Sequence, residues 1–149
     1  MDYTPAYPSD VEVASSVKEF ISSFYSVSDT PGKDEEWLSY YVDDAIVVMG
    51  KDTATGRDEL LQLRRRMWEK VQSRRHTVYK VLRGSFPAAG GAETPTTELA
   101  LFGTVEYRLR ENGGREKSTV DWAGHARLRS DEAAGGAWRF EYYRVYMQR

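Results

Sequence analysis

The chain of 149 residues contains no cysteine and only two histidines, His76 and His125. The absence of cysteine excludes disulfides, thiolate metal sites and a cysteine nucleophile, and it fits a reducing compartment. The sequence also lacks metal-ligand spacing, a glycine-rich phosphate loop, a dinucleotide fingerprint and a serine nucleophile elbow. If the protein is an enzyme, we therefore expect its chemistry to need no cofactor and no metal.

An excess of charge of one sign is missing as well, since 21 Lys and Arg residues stand against 23 Asp and Glu residues. This balance gives no overall attraction to nucleic acid or to an anionic membrane. No apolar run approaches the length that spans a bilayer, and residues 1–10 lack the apolar core of a signal peptide. We expect a cytoplasmic protein with neither a nucleic-acid partner nor a membrane partner.

Apolar residues recur at helical spacing early in the chain and alternate later. The predicted helices are 10–27, 34–41 and 57–73. The predicted strands are 45–49, 76–82, 96–110, 115–129 and 137–147. The other segments are predicted to be an irregular arm over 1–9, a polar loop over 50–56 and a flexible loop, a candidate lid, over 84–95. Helices first and antiparallel strands last predict one α+β domain over 1–149, with helices covering one face of the sheet.

The alternation in the last three strands is the most informative pattern. Folding the first two strands about Asn112-Gly113-Gly114-Arg115 pairs Val105 with Trp122, and other apolar residues likewise meet apolar residues. A slip of one residue would exchange the two faces. The predicted covered face carries Leu99, Leu101, Gly103, Val105, Tyr107, Val120, Trp122, Gly124, Ala126 and Leu128. The predicted outer face carries Glu106, Arg108, Asp121, His125, Arg127 and Arg129.

Several short motifs occur together over nearly the whole chain. They are Phe24-Tyr25, Tyr41-Val42-Asp43-Asp44-Ala45, Gly56-Arg57-Asp58-Glu59-Leu60, Met67-Trp68, Arg75-His76, Asp121-Trp122-Ala123-Gly124-His125-Ala126 and Tyr142-Tyr143-Arg144-Val145-Tyr146. This set resembles the nuclear transport factor 2-like superfamily, in particular small fungal members of its SnoaL-like group. The resemblance implies three N-terminal helices packed in a curved antiparallel sheet that forms a cone. It implies a function among polyketide cyclases, dehydratases, ketosteroid isomerases, cofactor-free isomerases of secondary metabolism, and non-catalytic binding or dimerisation modules, and fold alone does not choose among these.

Arg144 is the first candidate for chemistry in such a cone. If the even-numbered side of the last strand continues the covered face, Arg144 lies beside Gly124 among aromatic residues. A buried guanidinium needs a carboxylate or an anionic ligand oxygen as its partner. Arg144 is therefore predicted either to stabilise an oxyanion or enolate or to form a structural salt bridge, and it is exposed if the strand has the opposite parity.

The two histidines are candidates through the resemblance. In the resembling dehydratases, a histidine after the third helix and another on a long later strand act together, which implies His76 and His125. From the residues alone, His76 is instead interpreted as an exposed turn residue or as a helix-end partner of the Arg74-Arg75 pair. The register places His125 on the outer face, where it could belong to an interface between two subunits. That interface patch would be Phe102, Thr104, Ala123, His125, Tyr143 and Val145.

Glu106 and Asp121 are directly paired in the predicted register. Adjacent carboxylates can raise the pKa of one member and form an acid–base pair, or they can be a solvated charge cluster on the outer face. The acid–base carboxylates of the resembling cyclases lie on the late strands. If Asp121 faces inward, it is therefore the leading base.

Most of the remaining candidates are aromatic, and we expect them to line a substrate pocket. They are Tyr25, Tyr41, Met67, Trp68, Tyr107, Trp122, Tyr142 and Tyr146. The basic stretch of Arg64, Arg65, Arg66, Lys70, Arg74 and Arg75 is interpreted as a solvated helix face.

Two functions remain open at this point. The first is a cofactor-independent isomerase, cyclase or dehydratase that acts on a small, apolar, oxygenated metabolite and forms a homodimer through the outer sheet face. The second is a non-catalytic ligand-binding or dimerisation module whose cone is filled by its own aromatic residues. A cavity of roughly a few hundred cubic ångströms with a perturbed titratable group inside would favour the enzyme. A filled core with every His, Asp and Glu outside would favour the module.

Overall fold

Three α-helices and six β-strands form the fold in the computed structural model, which describes residues 3–87, 96–131 and 136–148. The helices are α1 (Ser15–Ser28), α2 (Asp34–Leu38) and α3 (Arg57–Glu69). The strands are β1 (Tyr41–Met49), β2 (Asp52–Thr55), β3 (Val71–Phe86), β4 (Thr96–Leu109), β5 (Lys117–Asp131) and β6 (Ala137–Met147). The predicted α+β class is confirmed.

All six strands belong to one curved sheet with the order β2-β1-β6-β5-β4-β3. Neighbouring strands are antiparallel except β1 and β6, which run parallel. The prediction of a wholly antiparallel sheet is therefore wrong at that pair. The predicted polar loop over 50–56 contains β2, a short edge strand whose only buried residue is Ala54.

The curvature of the sheet has a local cause in β3. The pairing of β3 with β4 shifts by one residue at Gln72 and again at Tyr79, which marks two bulges. Bulges bend a strand and increase its twist. Next to the second bulge, a Cβ on Gly103 would lie 2.1 Å from the Thr77 carbonyl oxygen, so the close approach of these strands requires glycine.

The inward faces of β4 and β5 agree with the prediction, but their pairing does not. Leu99, Leu101 and Val105 are buried, as are Trp122 and Leu128. The observed partner of Val105 is Val120 rather than Trp122, a shift of two residues. A 3₁₀ turn at Arg110–Asn112 lengthens the connection, with Gly113 and Gly114 at φ of 67° and 74°. Because the shift is even, both faces are preserved.

The predicted inward face of β6, its even-numbered side, holds at Phe140 and fails beyond it because the strand contains one extra residue. Leu128 pairs with Phe140, but Arg127 pairs with Tyr142, so Glu141 is an extra residue, a bulge. Phe140 faces inward before the bulge, and the odd-numbered residues face inward after it. The inward residues of the second half are Tyr143, Val145 and Met147, and the outward ones are Tyr142, Arg144 and Tyr146.

The ends of the other elements also differ from the prediction. α1 begins at Ser15 rather than at residue 10, and its buried stripe of Val17, Phe20, Ile21 and Phe24 packs on the sheet. The arm is not irregular throughout, since Ala6 exchanges backbone hydrogen bonds with Tyr79 and Val81 at the edge of β3. Of the predicted lid, Gly84 to Phe86 belongs to β3, and residues 88–95 lie outside the described residues. No helix in the described ranges is long and apolar enough to cross a membrane.

α3 ends at Glu69, four residues before the prediction, and β3 begins at Val71. Arg74 and His76 therefore lie on one strand, two residues apart, and their side chains share the inward face. This difference decides which residues meet in the centre of the molecule.

Candidate active site

A small buried cavity lies between the helices and the inward face of the sheet. Its volume is about 30 Å³, enough for about two water molecules. All three helices and five of the six strands contribute to its wall. The lining residues are Phe24, Tyr25, Ser28, Trp37, Tyr41, Met49, Met67, Arg74, His76, Val105, Tyr107, Trp122, Tyr143, Val145 and Met147.

A wider open space adjoins the cavity, and we call it the vestibule. Its volume is about 600 Å³. Five residues line both spaces and form the boundary between them: Met49, Met67, Arg74, Tyr107 and Met147. The other vestibule residues are Asp52, Leu63, Arg66, Lys70, Val71, Leu109, Ser118 and Val120. A ligand that reaches the cavity from the vestibule passes Arg74 and three methionines, whose unbranched side chains adapt to different shapes.

A carboxylate and an imidazole are paired at the cavity. Asp29, directly after α1, places Oδ1 2.6 Å from Nδ1 of His76. The backbone N–H of His76 donates to Asp29 Oδ2 at 2.7 Å, and the Tyr3 hydroxyl donates to the same oxygen at 2.8 Å. Because the carboxylate is an acceptor, this geometry favours the tautomer with the proton on Nδ1 and the basic lone pair on Nε2.

The environment shifts the pKa of both partners downward. Burial lowers the pKa of His76 from its ordinary 6.5, and the hydrogen bond and charge of Asp29 oppose this only in part. Burial alone would raise the pKa of Asp29, but the bonds and charge of His76 and the Tyr3 hydroxyl bring it below its ordinary 3.8. An ionised carboxylate therefore holds a neutral imidazole at neutral pH, which is the state that a general base needs.

Arg74 carries the second unusual group of the cavity. Its side chain is buried, with 7% of the residue exposed, and its Nε and Nη1 have no hydrogen-bond partner among the described residues. Its guanidinium lies 5.7 Å from the ring centre of Trp68 and 5.6 Å from that of Tyr107. Aromatic faces attract a cation, but they accept no strong hydrogen bond in place of a carboxylate.

Three further cavity residues have buried polar atoms without a partner in the described part of the chain. They are the indole nitrogens of Trp37 and Trp122 and the hydroxyl of Tyr41. The hydroxyls of Tyr25 and Tyr143 lie 2.8 Å apart, and burial raises the pKa of both phenols, so both are protonated at neutral pH. Since one of the two donates to the other, one phenolic proton remains for another acceptor.

The structure brings together most of the predicted aromatic wall. Tyr25, Tyr41, Met67, Tyr107 and Trp122 line the cavity as expected. Trp68 does not line it: its ring lies behind Arg74 and also 5.5 Å from the guanidinium of Arg64. Tyr142 and Tyr146 are on the outer face because of the bulge at Glu141, and half of Tyr146 is exposed.

Arg144 does not reach the cavity. The same bulge turns it outward, where it is exposed and its guanidinium lies 4.8 Å from the ring centre of Tyr146. The prediction that Arg144 faces the pocket is wrong, and Tyr143 and Val145, which we expected in the outer patch, line the cavity instead.

His125 and Asp121 also lie away from the cavity, on the outer face of β5. His125 Nε2 is 2.6 Å from Glu98 Oε1, and its ring contacts Tyr142 at 5.5 Å. Asp121 is exposed and pairs with Thr104, whereas Glu106 pairs with Thr119. Because the true register separates the two carboxylates, the predicted acid–base pair is not formed, and neither His125 nor Asp121 can act together with His76 in this cavity.

Two important residues were missed from the sequence. Asp29 was not among the candidate residues, and Arg74 was interpreted as part of a solvated basic helix face. That interpretation is wrong for Arg64 as well, which is fully buried. The signal for Arg74 was the alternation of Arg74, His76 and Val78, but it is visible only if the strand begins before His76. The contact of Asp29 with His76 spans 47 residues and has no local signal.

In the described ranges, no three His, Asp or Glu side chains cluster closely enough to hold a metal ion.

No protein-family model and no curated protein matches the sequence. Solved structures do match its fold. ActVI-ORFA from Streptomyces coelicolor is 13% identical, with 90% of this chain and 96% of that chain covered and a TM-score of 0.68. Hexachlorocyclohexane dehydrochlorinase LinA type 2 is 16% identical over 91% and 84% of the two chains, with a TM-score of 0.72. A protein with a ketosteroid isomerase-like fold from Catenulispora acidiphila is 13% identical over 86% and 84%, with a TM-score of 0.61.

These similarities show the fold. The predicted nuclear transport factor 2-like fold, which the ketosteroid isomerase-like neighbour shares, is confirmed. At this level of identity, the activity must be argued from the residues of the cavity.

Proposed function

We propose that the protein is a cofactor-independent enzyme that moves a proton on a small, apolar, oxygenated metabolite, as an isomerase, cyclase or dehydratase of secondary-metabolism type. The observation that carries this proposal is the Asp29–His76 pair at a buried cavity. A neutral imidazole beside an ionised carboxylate is suited to remove a proton and to be stabilised afterwards as imidazolium.

In the proposed reaction, His76 Nε2 takes a proton from a carbon next to a carbonyl group. The electron pair of that C–H bond moves into the new C=C bond, and the carbonyl π pair moves to oxygen, which gives an enolate. The unpaired donors of Arg74 and Tyr41, which line the same cavity, would stabilise the charge on this oxygen. Return of the proton to another atom gives an isomer. Loss of a β-hydroxyl group, protonated by the imidazolium, gives a dehydrated product and water.

One structural neighbour supports an elimination in this fold. The name of the hexachlorocyclohexane dehydrochlorinase states the loss of hydrogen and chlorine from its substrate. We extend to this chain only the removal of a proton, because the leaving group depends on a substrate that the fold does not specify.

We further propose that the protein is cytoplasmic and forms a homodimer through the outer sheet face. That face exposes Phe102 and Tyr146, whose apolar surfaces would be covered in a dimer. Sedimentation analysis measures the oligomeric state directly, and a monomer at all concentrations would contradict the proposed homodimer.

The alternative is a non-catalytic ligand-binding module, and the size of the cavity favours it. With about 30 Å³, the cavity as it stands does not hold an organic substrate. The enzyme hypothesis therefore requires the methionines at the boundary to move, so that the substrate extends from the vestibule to His76.

Solvent deuterium exchange separates the two functions. The protein is incubated in D₂O with a panel of small cyclic and open-chain ketones and β-hydroxyketones, and ¹H NMR follows the loss of the protons next to the carbonyl. We expect His76→Gln to lower the rate by at least about 100-fold, the usual minimum for loss of a general base. His125→Gln is the matched control and should leave the rate unchanged. Equal rates in wild type and His76→Gln would contradict the proposal, and binding of a panel member without exchange would favour the module.

A further inference from the structure

Two arginines are buried in the described part of the chain, Arg64 and Arg74, and their surroundings are opposite. Arg64 is satisfied by the protein: Nη1 donates to the Ser28 carbonyl and Nη2 to the Thr30 carbonyl, both at 2.7 Å, and Nε faces Asp34 at 3.3 Å. Arg74 has two nitrogens without an acceptor anywhere in residues 3–87, 96–131 and 136–148. A buried cation without a counter-ion is costly, so a folded protein that keeps one needs a reason outside its own packing.

The other unpaired polar atoms of the cavity are hydrogen-bond donors, as are the unpaired nitrogens of Arg74. The indole nitrogens of Trp37 and Trp122 can only donate hydrogen bonds, and the hydroxyl of Tyr41 can donate one. Among these unpaired buried atoms of the described residues at the cavity, the Tyr41 hydroxyl is the single one that can also accept a hydrogen bond. A site with donors on several sides is complementary to a ligand atom that accepts several hydrogen bonds, which is the property of an anionic oxygen.

The vestibule extends this positive character to the surface. Arg66, Lys70 and Arg74 line it, against the single carboxylate of Asp52. The chain as a whole has a formal net charge of -2, so the cationic lining is local to this entrance. Like-charged groups at an entrance raise the local concentration of ligands of opposite charge.

We infer that the site recognises a small organic anion whose charge is on oxygen, as in a carboxylate or an acidic phenol, with that oxygen at Arg74 and the carbon skeleton in the vestibule. This inference rests on the proposed function for the role of His76, and it adds the charge of the substrate before any reaction occurs. Because Arg74 and His76 are two residues apart on one face of β3, about 7 Å along the strand, an oxygen held at Arg74 brings the neighbouring carbons toward His76.

Matched pairs of ligands test the inference without knowledge of the substrate. Benzoate is compared with benzamide, and 4-nitrophenolate with 4-nitroanisole, since each pair differs in charge while keeping the ring. Isothermal titration calorimetry gives the dissociation constants for wild type, Arg74→Met, Arg74→Lys and the control Arg144→Met, whose arginine lies on the outer face. The fold of each variant is checked by circular dichroism.

For at least one pair, we expect wild type to bind the anion at least about tenfold more tightly than its neutral partner, the effect of one charge-assisted hydrogen bond. Arg74→Met should remove this preference, Arg74→Lys should keep part of it, and Arg144→Met should keep all of it. A preference for benzoate alone identifies a carboxylate, and a preference for 4-nitrophenolate alone identifies a phenolate. Equal affinity for charged and neutral ligands, no binding of either anion, or a preference that survives in Arg74→Met overturns the inference.

The result is independent of the exchange experiment. Anion binding that depends on Arg74 in a protein without exchange activity supports the inference and refutes the enzyme proposal. Exchange that depends on His76, in a protein whose preference for anions is absent or survives in Arg74→Met, supports proton removal by His76 and refutes the inference.

Discussion

Replacing each buried arginine by methionine should have very different effects on stability. Arg64→Met removes two hydrogen bonds of 2.7 Å to the carbonyls of Ser28 and Thr30, near the end of α1. A buried carbonyl left without a partner costs about 1–3 kcal/mol. We therefore expect Arg64→Met to lower the free energy of unfolding by about 4 kcal/mol, and the melting temperature by about 10 °C.

Arg74→Met leaves no acceptor without its donor. It removes two ring contacts of the cation, worth about 0.5–2 kcal/mol each, and it also removes the cost of burying an unpaired charge, which is several kcal/mol. The free energy of unfolding should therefore stay within about 1 kcal/mol of wild type or increase. A stability gain at the cost of ligand binding is the pattern of a residue kept for function.

Equilibrium unfolding in urea, followed by far-ultraviolet circular dichroism, measures both changes. Equal slopes of the unfolding free energy against urea show that the comparison is valid. Arg144→Met serves as the exposed control, with an expected change below about 0.5 kcal/mol. If Arg74→Met destabilises the protein as much as Arg64→Met does, Arg74 has acceptors in the folded chain, and the argument from its unpaired nitrogens is refuted.

Three further predictions concern the carboxylate–imidazole pair and the bend of the sheet. Because the pKa of His76 is lowered from 6.5, its neutral form stabilises the fold fully above pH 6.5, and this contribution is lost as the pH falls toward the folded-state pKa. An NMR titration of the His76 ring should give a midpoint below 6.5, and Asp29→Asn should lower it further, so a midpoint above 6.5 would count against the assignment. Tyr3→Phe removes a hydroxyl 2.8 Å from Asp29, so the pKa of that carboxyl should rise and stability should fall by about 1 kcal/mol, as measured by carboxyl ¹³C NMR and urea unfolding. Gly103→Ala places a methyl group 2.1 Å from the backbone oxygen of Thr77 and should cost about 2 kcal/mol or more, whereas unchanged stability would show that the strands can separate there.

The inward faces of β4 and β5 could be predicted because they depend only on alternation. Leu99, Leu101 and Trp122 are buried as expected, although each has a different partner from the predicted one. The partner depends on the length of the connection, and the 3₁₀ turn at Arg110–Asn112 uses residues that a tight hairpin would leave in the strands. Because the side chains of a strand alternate between the two faces of the sheet, an error of two residues in the predicted register does not expose the core.

The candidate site was predictable only in part, because its chemistry depends on irregular positions. The bulge at Glu141 excluded Arg144, and alternation cannot show where a strand takes up an extra residue. Arg74 was missed because it lies near the boundary between α3 and β3, and periodicity predicts the ends of elements least well. His76 was a candidate through the resemblance to the dehydratases, but its partner Asp29 is determined by the packing of α1 against β3.

The extra residue in β6 divides that strand into two parts with opposite parity, and this has an evolutionary consequence. Deleting Glu141 would place Tyr142 directly after Phe140, restore regular pairing with β5 and leave Tyr143, Val145 and Met147 on the inward face. Keeping Glu141 but pairing it regularly, without the bulge, would instead turn Tyr142, Arg144 and Tyr146 inward. The bulge itself thus decides between an almost neutral cavity wall and a cationic, phenol-rich one, and families built on such a strand can change their ligand chemistry by gaining or losing a bulge, without first changing a side chain.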